Sequence, residues 1–174
     1  MEGQLRKNSI FLLLSLVGAC SVDTSGGVHG EVKKRGLVEV IEPGDEFEAP
    51  NSISGKAFQN TKMKIVQETA VVPLELGVTF GHEWCAYGLP RGPVELKFSV
   101  YHPDDGAGAV GFTSDRFISN DSEDAYCSLD AYTLGTEADL LEGEWTLRIW
   151  YLGPRSTSAI LASSDFSVVP VSAD

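Results

Sequence analysis

From Val94 to Tyr101 apolar and polar residues alternate: Val94, Leu96, Phe98 and Val100 fall on one face of an extended chain, Glu95, Lys97 and Ser99 on the other. A period of two predicts a strand with one face buried. The same pattern returns at Trp145 to Tyr151, which turns Trp145, Leu147, Ile149 and Tyr151 inward. Gly153-Pro154-Arg155-Ser156 then supplies turn chemistry before a partner strand over Ile160 to Val169, so a C-terminal hairpin is expected. Weaker strand patterns cover Leu37 to Ile41, Met63 to Thr69, Val78 to Tyr87, Gly111 to Ile118 and Tyr126 to Thr133. Between them stand breakers such as Pro43-Gly44, Pro73, Gly88, Pro90-Arg91-Gly92-Pro93 and Gly143. No long window carries a helical period, and Glu137 to Leu141 offers at most one helical turn. Short strands with frequent breakers predict an all-β fold, a single antiparallel immunoglobulin-like β-sandwich. A chain of 174 residues is one domain's worth.

The first residues follow a different rule. Arg6 and Lys7 precede an apolar run from Ile10 to Val17, then the small pair Gly18-Ala19 and Cys20. A run this short falls well below the roughly 20 residues a spanning helix needs, and it reads as an export signal over residues 1–19. Val17-Gly18-Ala19-Cys20 resembles the lipobox of bacterial lipoproteins, and the other reading is an ordinary secretory signal cut after Ala19. The lipobox resemblance implies that Cys20 becomes a lipidated first residue, a membrane anchor, and that Ser21 directs the protein to the outer membrane. Residues 20–35 are expected to be the lipidated cysteine and a flexible tether, with the domain over 36–174. Within the tether, Lys33-Lys34-Arg35 is expected as a solvated strand edge, with anionic headgroups as the other possible neighbour.

Export bears on the remaining cysteines. Setting Cys20 aside leaves Cys85 and Cys127, an even pair in a compartment where disulfides persist. A bridge between them is expected; two separately buried thiols are the alternative, because spacing does not fix geometry. An immunoglobulin signature would place a tryptophan between the two cysteines, and none lies there.

The run "TAVVPLELGVTFGHEW" at Thr69 to Trp84, the "YHP" at Tyr101 to Pro103, and "EGEWTLRIWYLG" with "LASSDFSVV" near the end occur in a telling order. Over roughly Gly36 to Val169 the chain resembles an uncharacterised bacterial domain family, the domain-of-unknown-function family numbered 3859. That resemblance implies an immunoglobulin-like fold and brings no catalytic residues.

Known catalytic motifs are missing from the sequence. It has no Gly-x-Ser-x-Gly elbow, no His-Glu-x-x-His and no phosphate loop, and no cysteine nucleophile remains once Cys20 is lipidated and the others are bridged. Three histidines occur: His29 in the tether, His82 beside Glu83, and His102 before Asp104 and Asp105. Two imidazoles and a carboxylate could hold zinc if their strands were neighbours, but Glu83 should face away from His82 in a strand. Neither a metal site nor a cofactor is expected.

Charge is the more unusual feature. One net positive charge leaves with residues 1–19 (Arg6 and Lys7 against Glu2), taking the chain from -12 to -13. Eleven carboxylates lie between Asp104 and Glu144 against Arg116 alone. Such a field disfavours nucleic acid and would steer a basic partner. Asp121, Glu123 and Asp124 are the candidate binding surface, with a solvated acidic face as the plainer reading; Asp121-Ser122-Glu123-Asp124 lacks the glycine and distal glutamate of an EF-hand. The expected function is that of an exported lipoprotein with a non-enzymatic binding or structural role in the envelope. The rivals are an inhibitor or immunity-type protein capping a basic partner, and a metal-dependent hydrolase.

Overall fold

A computed structural model describes residues 27–49, 56–59, 61–103, 110–121, 124–154 and 157–171. Among these residues run β1 (His29–Glu42), β2 (Asp45–Glu48), β3 (Lys56–Gln59), β4 (Lys62–Glu68), β5 (Val71–Pro73) and β6 (Thr79–Tyr87). They are followed by β7 (Gly92–Tyr101), β8 (Val110–Asn120), β9 (Ala125–Thr133), β10 (Gly143–Leu152) and β11 (Ser158–Val169). One sheet has the order β4-β1-β6-β9 and the other β5-β11-β10-β7-β8, with β2 and β3 as a separate hairpin. The two larger sheets make the all-β sandwich that the alternating pattern predicts.

The faces fall as that pattern requires. Val94, Leu96, Phe98 and Val100 of β7 are buried, as are Trp145, Leu147 and Ile149 of β10. Tyr151 is only half-buried against the core, beyond a bulge at Ile149/Trp150 in the β10–β11 ladder. Phe80 of β6 reaches across to the opposite sheet, its ring centroid 5.9 Å from Trp145 and 5.0 Å from Phe166. Each large side chain sealed in this way contributes about 1.5–3 kcal/mol.

Four features depart from the sequence reading. His29–Val32, expected as tether, belong to β1 and pair with β6, while the Lys33–Arg35 that follow are exposed strand residues, as expected. Gly30 explains why: a Cβ there would come within 2.2 Å of the Leu161 carbonyl oxygen, so the glycine is a close-approach residue where β1 lies against β11. Pro73, expected as a breaker, ends the short edge strand β5, which runs parallel to β11, against the antiparallel expectation. An edge tolerates a proline because the missing N–H need not enter a ladder. The hairpin β2–β3 has too few residues per strand to show a period, yet it lays Phe47 and Ala57 against the core. Ser99, expected on the wet face, is buried opposite Arg148, whose guanidinium lies 4.9 Å over the Tyr101 ring.

Candidate functional site

Cys85 and Cys127 are directly opposed in the β6–β9 ladder and form a disulfide with an S–S distance of 2.04 Å. Neighbouring strand residues face opposite ways, so the buried Trp84 places Cys85 on the outer face of its sheet. The bridge therefore links two strands of one sheet and leaves the gap between sheets to the aromatic core. Cys20 lies outside the described residues.

A polar network crosses that core. Arg116 of β8 donates to both carboxylate oxygens of Asp130 on β9, at 2.6 and 2.8 Å, and the Trp84 indole N–H donates to the same group at 2.7 Å. Beside it, His82 Nδ1 shares a 2.8 Å hydrogen bond with the Ser164 hydroxyl on β11. Both links join one sheet to the other. The sequence does contain a signal for Arg116: it shares a strand face with Phe112 and Ile118, so it points inward, and an inward charge needs a partner.

Serine, histidine and aspartate together have the composition of a nucleophilic triad, but not its geometry. Ser164 meets Nδ1, the nitrogen that a triad gives to its aspartate, and Ser164 and His82 are 2% and 0% exposed. Burial pushes the His82 pKa down to about 4, against a smaller upward pull from Asp130, with Arg116 adding to the fall. The imidazole is thus neutral in the folded protein near neutral pH. In the unfolded chain it titrates near its ordinary value of 6.5. Its folded pKa is the lower one, so the unfolded state holds more protons between these values and stability falls as pH drops from about 6.5 to about 4. The loss attributable to His82 is roughly 3 kcal/mol. Urea unfolding at a series of pH values is expected to show this decline, and His82→Gln to flatten it; an equally steep decline in the variant would assign it to other groups.

His102 has different surroundings. Its Nδ1 donates to the Pro103 carbonyl at 3.2 Å, and the ring packs 5.6 Å from Trp145 and against Gly111. Glu83 is half-buried on the face opposite His82. His29, in β1, stacks on Tyr87 at 5.2 Å. Among the described residues no three His, Cys, Asp or Glu side chains gather closely enough to hold a metal ion.

The acidic stretch divides into inside and outside. Asp130 and Asp139 are buried. Asp139 accepts hydrogen bonds from the Tyr132 hydroxyl at 2.6 Å, Thr136 N and Oγ1 at 2.8 Å and Gly135 N at 3.1 Å, and so fixes the short 3-10 turn Glu137–Asp139. Burial, reinforced by Asp139, holds the Tyr132 phenol far above its usual range. Asp115 faces Lys97 across β7–β8 at 3.6 Å. Arg116, the lone cation of the stretch, pairs with one of its carboxylates, the buried Asp130, and leaves the exposed ones unmatched by it. Asp121 and Asp124 are exposed at the ends of the β8–β9 connection, while Glu123, Asp104 and Asp105 lie outside the described residues.

Two facing sheets sealed by aromatic side chains and stitched by Arg116–Asp130 define an all-β sandwich. The profile of the domain of unknown function DUF3859 matches residues 32–168, and the chain belongs to that family. The fold is similar to the crystal structure of an immunoglobulin-like protein from Pseudomonas aeruginosa, at 21% identity and a TM-score of 0.43, over 84% of this chain and 99% of that one. No curated protein matches the sequence.

Proposed function

We propose that the chain is a bacterial envelope lipoprotein, anchored through Cys20, whose sandwich acts as a non-enzymatic binding or structural module. The observation that carries this reading is the Cys85–Cys127 disulfide, since such bridges persist in oxidising, exported compartments. The lipobox-like Val17-Gly18-Ala19-Cys20 supports the anchor, and each buried acyl methylene contributes about 0.8 kcal/mol to membrane attachment. The sealed Ser164 and His82 support a non-enzymatic role, because neither can meet a substrate without the sandwich opening. Mass spectrometry of the processed wild-type protein is expected to find an acylated N-terminal Cys20, and Cys20→Ala to leave an unprocessed precursor. An unmodified chain starting at Cys20 would overturn the proposal.

The exposure of Asp121 and Asp124 favours a second reading, in which the β8–β9 connection meets a basic protein partner. Replacing Asp121, Glu123 and Asp124 by Asn, Gln and Asn is then expected to weaken capture of a partner whose wild-type binding fades with rising salt. If capture is unchanged, the stretch is a solvated acidic face.

A further inference from the structure

We propose that the sandwich binds a phosphate group in the cleft beside the β1 bulge. The β1–β6 register shifts between Val32 and Lys34, and an extra residue at such a point re-aims its neighbours. Lys33, Lys34 and Arg35 line one cleft of about 510 Å3, the Lys33 ammonium being held by Glu31 and the Tyr87 ring, which lie outside the lining. Its other wall is the β4–β5 turn at Glu68 and Thr69, and Ser163 and Ser164 of β11 complete the lining, Ser163 exposed and the Ser164 hydroxyl turned inward to His82.

Three cations meet two carboxylates here, Glu68 in the lining and Glu31 beside it, within a chain of net charge -12. Lys33 pairs with Glu31, and Lys34 reaches Glu68 only at 3.8 Å. Arg35 makes no ion pair among the described residues; one Nη donates to the Asp165 backbone carbonyl at 3.1 Å. Elsewhere the lysines are matched across strands, Lys62 with Glu42 and Lys64 with Glu39, both at 2.7 Å. Arg35 is thus the cation of the cleft left without a carboxylate among the described residues.

The donor set selects the ligand class. A planar carboxylate is satisfied by a guanidinium fork alone, whereas phosphate presents oxygens in several directions. Arg35 and Lys34 of β1 and the Ser163 hydroxyl of β11 approach from two strands in opposite sheets and suit the second shape. The protein's negative field does not prevent this, because exposed charges more than about 8–10 Å away are largely screened at physiological salt. Two sources offer the same chemistry: a soluble phosphate and the diester of a phospholipid headgroup. The proposal does not depend on lipidation of Cys20.

The test is an NMR titration of the full-length chain, held in a maltoside detergent free of phosphate, with inorganic phosphate and separately with glycerophosphoglycerol, a headgroup without acyl chains. Saturable amide shifts are expected at residues 32–35 and 68–70. Arg35→Ala is expected to weaken binding at least ten-fold and Lys34→Ala several-fold, while Lys64→Ala leaves it unchanged. Circular dichroism melts establish that each variant is folded, and two independent cleft variants guard against a misfolded one. Tighter binding of the diester assigns the cleft to a headgroup, and tighter binding of inorganic phosphate to a soluble ligand. Shifts that stay linear, spread over all exposed lysines, or survive both cleft substitutions overturn the proposal.

Discussion

Asp130→Ala is expected to destabilise the fold by about 3 kcal/mol, toward the lower end of what breaking a buried ion pair costs. The carboxylate holds two guanidinium bonds from Arg116 and one indole bond from Trp84. Removing it strands a cation at the sandwich interior and leaves a fully buried indole N–H without its acceptor. The lower end applies because the Arg116 side chain is 31% exposed, so water still reaches part of its charge. Asp130→Asn keeps an acceptor for Trp84 while losing the charge, and should cost less. Arg116→Met in the Asp130→Ala background should recover part of the loss, since the stranded charge is gone. Urea unfolding of these four proteins and of Arg116→Met alone closes the cycle and gives the coupling. A loss below about 1 kcal/mol for Asp130→Ala would show that the network adds nothing to stability.

The alternation at Val94–Val100 and Trp145–Ile149 made the sandwich legible, because a buried face and a wet face leave a period of two in any strand long enough to show it. β5 and the β2–β3 hairpin are too short for a period, and Pro73 reads as a stop unless the strand is known to lie at an edge. Gly30 looks like tether in sequence because a close-approach glycine and a linker glycine are the same residue; only the Leu161 carbonyl beside it tells them apart. The acidic stretch misleads for a related reason. A count of carboxylates cannot distinguish Asp130 and Asp139, whose hydrogen bonds come from residues brought in by the fold, from the exposed Asp121 and Asp124. The cysteine pair was legible from compartment alone. Its position across one sheet follows from the β6–β9 register, which no single-strand pattern contains.

Eliminating that disulfide by pairing Cys85→Ala with Cys127→Ser is expected to lower stability by about 4 kcal/mol at 25 °C. The estimate comes from the unfolded chain, where a bridge across a sequence separation of 42 forbids most loop conformations. The folded state has less to lose. Cys85 and Cys127 are cross-strand neighbours in a ladder that pairs Thr79–Tyr87 with Ala125–Thr133, so backbone hydrogen bonds still hold β9 to β6. The bridge lies on the outer face with Cys127 exposed, and its removal leaves the aromatic core filled. An effect that acts on the unfolded state has its own signature: the released chain expands, so the denaturant slope m should rise as the midpoint falls. Reduction of the wild type with excess dithiothreitol should reproduce both changes. The same argument applies to compartment, because a chain lacking residues 1–19 and retained in a reducing cytoplasm should carry three free thiols, Cys20, Cys85 and Cys127, and show the variant's stability. Equal midpoints with and without reductant, once thiol titration confirms that the bridge is open, would show that the disulfide does not stabilise this fold.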